Sequence, residues 1–325
     1  MKTLWPAEKI YHFFVSTKNY LYDRQFIRPV KIKFPVVSVG NISFGGVGKT
    51  PFIIFLAQEL ATDSKVNIVT RSYKSSLKSP RTVNLQEADA AAIYGDEACL
   101  IQKMLPGCSV WSGPNKASTA AACTINQPSV ILVDDGFSHR KLQRNFDLVL
   151  IDATVGIDDY LREPARNLKR AHAVVITKTN LVGPQAVNQL EKKILGVAGN
   201  LGGHIFTSEV NTSLAAKVSE PLFVFCGLGR PETFVLDLQI QGYTIAEKSF
   251  YPDHYSYSLT DQQKLFDRYC QLKSAQPGLR LVTTEKDFVK ISLPALKEIL
   301  MVTEHRITMT AGPKEVLLEK IRQAL

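Results

Sequence analysis

The residues with the clearest chemistry lie in one stretch, Gly40-Asn41-Ile42-Ser43-Phe44-Gly45-Gly46-Val47-Gly48-Lys49-Thr50-Pro51. Glycines at this density let successive backbone N–H groups turn inward around a phosphate, and a helix that starts at the lysine adds the positive end of its dipole. Lys49 has the reach for β- and γ-phosphates, and the Thr50 hydroxyl is a ligand for Mg²⁺. Residues Ser43, Phe44, Gly45, Gly46, Val47, Gly48, Lys49 and Thr50 are therefore the expected nucleotide contacts. One departure is visible: the pattern G-x-x-x-x-G-K-[ST] has glycine where this chain has Ser43. A second set of acids follows downstream. The apolar run Ser129-Val130-Ile131-Leu132-Val133 ends in Asp134-Asp135-Gly136, a strand delivering a carboxylate to a metal beside the phosphate loop. Asp-Gly also marks simple turns, so the pair gains its meaning from the loop upstream.

Other candidates are weaker taken singly. Tyr94-Gly95-Asp96-Glu97 precedes a helix, where two acids either cap the helix or supply a general base and a metal-linked carboxylate. Arg71, Lys116, Asp135, His139, Arg162 and Glu163 are candidates for acceptor or phosphate contacts, with solvated surface charge as the bland alternative. His254, in Tyr251-Pro252-Asp253-His254-Tyr255, is a candidate for acid–base work contributed by a second lobe.

Positioning these groups requires a strand before the loop and a helix after it. Phe34 to Val39 reads as the buried strand and Phe52 to Leu60 as the helix. Apolar, β-branched runs recur at 66–70, 109–111, 129–133, 148–151 and 173–177, alternating with helical segments near 96–104, 117–123 and 185–195. Such runs are expected in a parallel sheet covered on both faces. Residues 205–218 read as extended connecting segments. A second block follows, with strands at 222–226, 243–248 and 279–284, helices at 232–241 and 259–272, and a terminal helix from Pro313. The expectation is an α/β protein: a P-loop NTPase-like core with a mainly parallel sheet, plus a smaller α/β C-terminal lobe. The expected divisions are 1–33, 34–204, 205–220 and 221–325, the last closing a substrate cleft.

The chain of 325 residues carries a net charge of +9, which favours anionic partners. No nucleic-acid recognition motif accompanies the charge. Five cysteines, Cys99, Cys108, Cys123, Cys226 and Cys270, are scattered without a C-x-x-C pair and read as reduced thiols. No apolar run reaches the roughly 18 residues of a membrane span, and no signal peptide is evident. Residues 1–33 hold seven basic residues against Glu8 and Asp23, with Ile10, Phe13, Phe14, Thr17, Tyr20 and Leu21 at helical spacing. A basic aromatic helix of this kind suits either a membrane interface or packing on the domain's own core.

The ordered set resembles the tetraacyldisaccharide 4′-kinase family. It comprises Ser38-Val39-Gly40-Asn41 with Gly45 to Pro51, Tyr94-Gly95-Asp96-Glu97, Asp134-Asp135-Gly136-Phe137-Ser138-His139, Leu161-Arg162-Glu163-Pro164, Phe225-Cys226-Gly227-Leu228-Gly229, Pro252-Asp253-His254 and Thr283-Thr284-Glu285-Lys286-Asp287. Asn19-Tyr20-Leu21-Tyr22-Asp23-Arg24 resembles a further family element. The resemblance implies ATP- and Mg²⁺-dependent phosphorylation of the 4′-hydroxyl of a tetraacylated glucosamine disaccharide 1-phosphate, an acylated lipid. It places a peripheral, monomeric protein on the cytoplasmic face of the inner membrane of a Gram-negative bacterium, touching that surface through its N-terminal helix. It assigns the catalytic Asp to Asp96, its assisting His to His254 and the metal-site acids to Glu97 and Asp134. Departures are Ser138 for a family Gln, Ser72 for a family Gly, Lys116 for a substrate-side Arg, and Gly156 to Tyr160 for a Leu-Pro-Ala-Gly stretch. The competing reading is a MinD/ParA-type switch ATPase, whose signature lysine would stand where this chain has Phe44. A GTPase is disfavoured because Thr177-Lys178-Thr179-Asn180 lacks the Asp that reads guanine.

Overall fold

The computed structural model describes residues 5–72, 75–158, 161–253 and 255–325, with side chains from residue 14 onward. The chain forms two compact units, Met1–Ser208 with Met309–Leu325, and Glu209–Thr308.

The larger unit contains α1 (Trp5–Asp23), β1 (Val36–Asn41), α2 (Lys49–Leu60), β2 (Val66–Arg71), β3 (Arg81–Thr82), α3 (Ala90–Tyr94), α4 (Asp96–Met104), β4 (Ser109–Gly113), α5 (Lys116–Ala122), β5 (Val130–Asp134), β6 (Phe146–Asp152), β7 (Ala173–Thr177), α6 (Pro184–Val197) and β8 (Ile205–Thr207). The eight strands lie in the order β3-β4-β2-β5-β1-β6-β7-β8. All neighbours are parallel except β3 and β4. The near-unbroken Val/Ile/Leu runs follow from this arrangement, since each central strand is covered on both faces. Val69, Trp111, Ile131 and Val133 face Ala117 and Ala120 of α5. Val149, Ile151, Val174 and Ile176 face Leu190 and Ile194 of α6. Each fully buried aliphatic side chain contributes about 1.5–3 kcal/mol of hydrophobic stabilisation. β1 and β5 are neighbours in the middle of the sheet, so the loops leaving their carboxyl ends emerge side by side, where ligands bind in open α/β sheets.

The smaller unit contains β9 (Glu209–Leu214), β10 (Leu222–Cys226), α7 (Pro231–Ile240), β11 (Ile245–Phe250), α8 (Leu259–Ala275), β12 (Arg280–Thr284), α9 (Glu285–Phe288), α10 (Pro294–Ile299) and β13 (Leu300–Thr308). Its sheet runs β11-β10-β12-β13-β9, with only β9 antiparallel. Period-two alternation in β10 sorts Leu222, Val224 and Cys226 toward α7, and Phe223 and Phe225 toward α8.

The expected boundaries shift in two places. Residues 205–220 are not mere connectors, since β8 closes one edge of the large sheet and β9 one edge of the small sheet. The final helix, α11 (Ala311–Gln323), belongs to the larger unit rather than to a C-terminal lobe. Its Lys314 pairs with Glu59 of α2 at 3.0 Å, and Arg322 pairs with Asp63 at 2.9 Å. β9 is polar because it is an edge strand with only alternate residues buried, a weak signal in sequence.

Candidate functional site at the carboxyl ends of β1 and β5

β1 ends at Asn41, and α2 begins at Lys49. Between them Gly45 and Gly48 take φ of 98° and 86°, the left-handed region that glycine enters without a Cβ penalty. Gly48 is the N-cap of α2 and supplies no side-chain cap, so the first amides of that twelve-residue helix have no capping side chain. Two close approaches bring the β5 loop against β1. A Cβ on Gly40 would meet Phe137 Cβ at 2.5 Å, and one on Gly136 would meet Ser38 Oγ at 2.5 Å.

Four of the expected residues converge here. The Lys49 ammonium lies 3.2 Å from Asn41 Oδ1 and 3.8 Å from Asp135 Oδ1. The buried Lys116 donates to the Asp135 carbonyl at 2.6 Å and lies 3.8 Å from its carboxylate. Arg162 forks onto the same carboxylate, one nitrogen at 2.9 Å and the second closer, and also reaches Asn41 Oδ1. Asp135 holds this position with φ of 52°, a conformation that Asp tolerates better than most residues. Burial works against its charge, but the Arg162 hydrogen bond and the Lys49 and Lys116 ammonium groups keep the carboxyl well below the usual range. Burial lowers the proton affinity of Lys116, opposed by Asp135 and Asp134.

Asp134 behaves oppositely. Burial and then the nearby Glu97 charge push its carboxyl up to about 6. Its Oδ2 accepts from Thr70 at 3.3 Å, while its Oδ1 is buried with no hydrogen-bond partner among the described residues. Glu97 and Asp96 stand half-buried in the first turn of α4, after Gly95 at φ 94°. Among the described residues, no group of three or more His, Cys, Asp or Glu is placed to hold a metal by itself. An unsatisfied Asp134 oxygen with Glu97 nearby suits a hard cation shared with phosphate oxygens, the usual habit of Mg²⁺.

The remaining candidates divide. Arg71 is exposed at the end of β2, and its charge acts on His139. Burial, then Lys116 and the surrounding cations, hold the His139 imidazole down at about 4, and its Nε2 has no partner among the described residues. Glu163 is 2% exposed and accepts from Arg170 and Asn167, so its carboxylate anchors its own segment instead of joining the Lys49 cluster. Phe44 is 53% exposed at the loop. His254 lies outside the described residues. Asn41, which links Lys49 to Arg162, is a site residue that the sequence reading does not single out; its place at the buried end of β1 is the signal that could find it.

A histidine depressed in the fold and ordinary in the unfolded chain takes up fewer protons when folded. Stability from this source is present above about pH 6.5 and is lost as pH falls toward 4. Asp134, raised in the fold, acts in the opposite sense below about pH 6, so the His139 contribution is read as a difference. Between about pH 6.5 and 4 the wild-type protein should lose melting temperature relative to His139→Gln in a pH series of thermal melts.

The loop, its helix and the acids at the end of β5 define a P-loop phosphotransferase site on a parallel α/β sheet. The chain belongs to the tetraacyldisaccharide-1-P 4′-kinase family, whose model matches residues 1–324. The tetraacyldisaccharide 4′-kinase of Bdellovibrio bacteriovorus is 31% identical over 307 residues, covering 89% of this chain and 88% of that one. That of Halothermothrix orenii is 29% identical over 347 residues, covering 96% and 88%. The crystal structure of LpxK from Aquifex aeolicus in complex with ATP superposes with a TM-score of 0.73 at 27% identity, covering 99% of this chain and 98% of that one. Family membership decides against the switch-ATPase reading.

Proposed function

We propose that this protein transfers the γ-phosphoryl group of ATP to the 4′-hydroxyl of a tetraacylated glucosamine disaccharide 1-phosphate. The observation that carries the reading is the convergence of Lys49, Lys116 and Arg162 on one carboxylate beside an uncapped helix N-terminus, in a chain of this family. The loop amides and Lys49 bind the β- and γ-phosphates. Thr50, Asp134 and Glu97 would hold Mg²⁺, which neutralises charge developing on the phosphates when bound. Asp96 accepts the proton of the attacking hydroxyl, and His254 assists it. Arg71, Lys116 and His139 line the acceptor side as phosphate contacts.

The acceptor is a lipid, and the protein offers a surface for reaching it. No helix among the described residues is long and apolar enough to cross a membrane. α1 is fastened to the larger unit, since Arg140 donates to the Asn19 carbonyl at 2.9 Å and pairs with Asp23 at 2.7 Å. Yet Phe14 and Phe26 are 66% and 73% exposed, alongside exposed Tyr20, Ile27 and Val30 and the cations Arg24, Arg28, Lys31 and Lys33. We place this stretch on the anionic cytoplasmic surface of the inner membrane, with the protein acting as a peripheral monomer that binds no nucleic acid.

The test presents tetraacyl disaccharide 1-phosphate in anionic vesicles to the protein with γ-labelled ATP and Mg²⁺, with water as the control acceptor. Label should appear in the lipid, and co-sedimentation with the vesicles should weaken as salt rises. Label released only as inorganic phosphate would overturn the kinase reading, and salt-independent or absent sedimentation would overturn the membrane surface.

A further inference from the structure

A phosphate-binding loop works only if its peptide groups face the right way, with N–H toward the anion and carbonyl oxygens turned out. In this chain two of those carbonyls are tied down by side chains from the end of β7. Thr177 Oγ1 donates to the Val47 carbonyl at 3.0 Å. Lys178 Nζ donates to the Gly46 carbonyl at 2.9 Å. Lys178 is itself fixed by Asp152 Oδ2 at 2.6 Å, and Asp152 Oδ1 accepts from Thr154 N and Oγ1 at 2.9 and 2.6 Å. Lys178 adopts φ of 60°, an unfavourable conformation for a lysine that the surrounding bonds sustain. The next residue donates twice to the Ser208 carbonyl, from Thr179 N and Oγ1, each at 3.2 Å.

Because a trans peptide is planar, its carbonyl and the following N–H point in opposite directions. Holding the Val47 carbonyl therefore directs the Gly48 N–H the other way, and holding the Gly46 carbonyl fixes the Val47 N–H, which donates to Gly45 O at 3.1 Å. The loop needs such help. Gly46 has nothing within 4 Å of where a Cβ would stand, so no side-chain packing at that residue helps to hold it. Stability alone gives a poor account of the ion pair. Lys178 is 8% exposed and Asp152 1%, and a buried pair of this kind is often no more stabilising than an apolar pair of equal volume.

We infer that Thr177, Lys178 and Asp152 form a tether that sets the peptide orientation of the phosphate-binding loop, and thereby the affinity for ATP. They are positioning residues: they act through Gly46 and Val47 and touch no substrate. This rests on the reading of Gly45 to Thr50 as the ATP site.

The test compares the full-length protein with Thr177→Val, Thr177→Ser and the double variant Asp152→Leu/Lys178→Met. ATP dissociation constants come from calorimetry, melting temperatures are taken without nucleotide, and KM is measured for each substrate. Thr177→Val should raise the ATP dissociation constant roughly tenfold, the cost of one lost buried hydrogen bond, while Thr177→Ser stays near wild type. The double variant should melt near the wild-type temperature and still lose ATP affinity by tenfold or more, with the KM for the lipid unchanged. Unchanged ATP affinity in Thr177→Val would overturn the tether, as would an equal rise in both KM values. If the double variant fails to fold, the Thr177 pair decides. Wild-type protein that bound no ATP would overturn the site reading itself, which the calorimetry detects before any variant is compared.

Discussion

Lys49→Ala should reduce phosphoryl transfer by roughly 10³-fold or more, to the level of the no-enzyme control. Its ammonium is the cation carried by the phosphate loop itself, 3.2 Å from Asn41 Oδ1 at the end of β1. The nearest cations are committed elsewhere. Lys116 donates to the Asp135 carbonyl at 2.6 Å, and Arg162 forks onto the Asp135 carboxylate and Asn41. Neither can move to the β/γ position without leaving Asp135 buried and underpaired, a costly rearrangement. Lys49→Arg should also fail, because a planar fork does not fill the place of a compact ammonium. The measurement is label transfer at saturating ATP, with circular dichroism and melting temperature as the control for folding. Near-wild-type turnover in Lys49→Ala would remove this loop from the chemistry.

Asp96→Ala should cost about 10²–10⁴-fold in turnover, the range for losing a positioned general base, with ATP affinity close to normal. Asp96 opens α4, with Gly95 as N-cap at φ 94°, and it stands beside Glu97, whose charge acts on Asp134. Asp96 is thus next in sequence to the acid we propose for the metal site, so base and ligand roles must be separated by experiment. Loss of transfer with ATP binding retained marks the base, whereas a large fall in ATP·Mg²⁺ affinity would assign Asp96 to the metal. His254→Ala should cost less than Asp96→Ala. If the two share one proton, the double variant should be no worse than Asp96→Ala alone. Multiplicative losses would show two independent roles and dissolve the pair.

Much of this site could be read before any coordinate. Strand, glycine-rich loop and helix around Lys49 were legible because each has a local signature: a β-branched run, glycines and a 3.6-residue period. Asp134 was legible because an apolar strand ends on it. Lys116 was noted as a departure from the family pattern, and the structure gives it a central place, buried against Asp135. What stayed hidden depends on pairing between distant segments. Nothing local reveals that Thr177 and Lys178 bond the loop 130 residues earlier; their segment was weighed only for guanine recognition. Glu163 reads in sequence as a candidate substrate contact, and its ion pair with Arg170 has no local signature that could announce it. β13 escaped because the consecutive polar residues Glu304-His305-Arg306 stand between buried Thr303 and Ile307 and resemble a polar loop. The last helix was assigned to the wrong unit because chain order is a poor guide when one unit is inserted within another.

That insertion has a consequence for how the protein is made. The larger unit begins at the N-terminus, but its last piece, α11, is joined to α2 by a pair 255 residues apart in sequence, Lys314 with Glu59. A ribosome adding about 5–20 residues per second spends roughly 5–20 seconds between Ser208 and Met309. Throughout that interval the eight-stranded sheet can form without its final helix, while every residue of the smaller unit is delivered in one uninterrupted stretch. The nascent chain therefore finishes its second unit before it can finish its first. A message cut short before Leu317 yields a complete small unit attached to a large one that lacks the buried side chains of Leu317, Leu318 and Ile321, leaving the surface they cover open to chaperones and proteases.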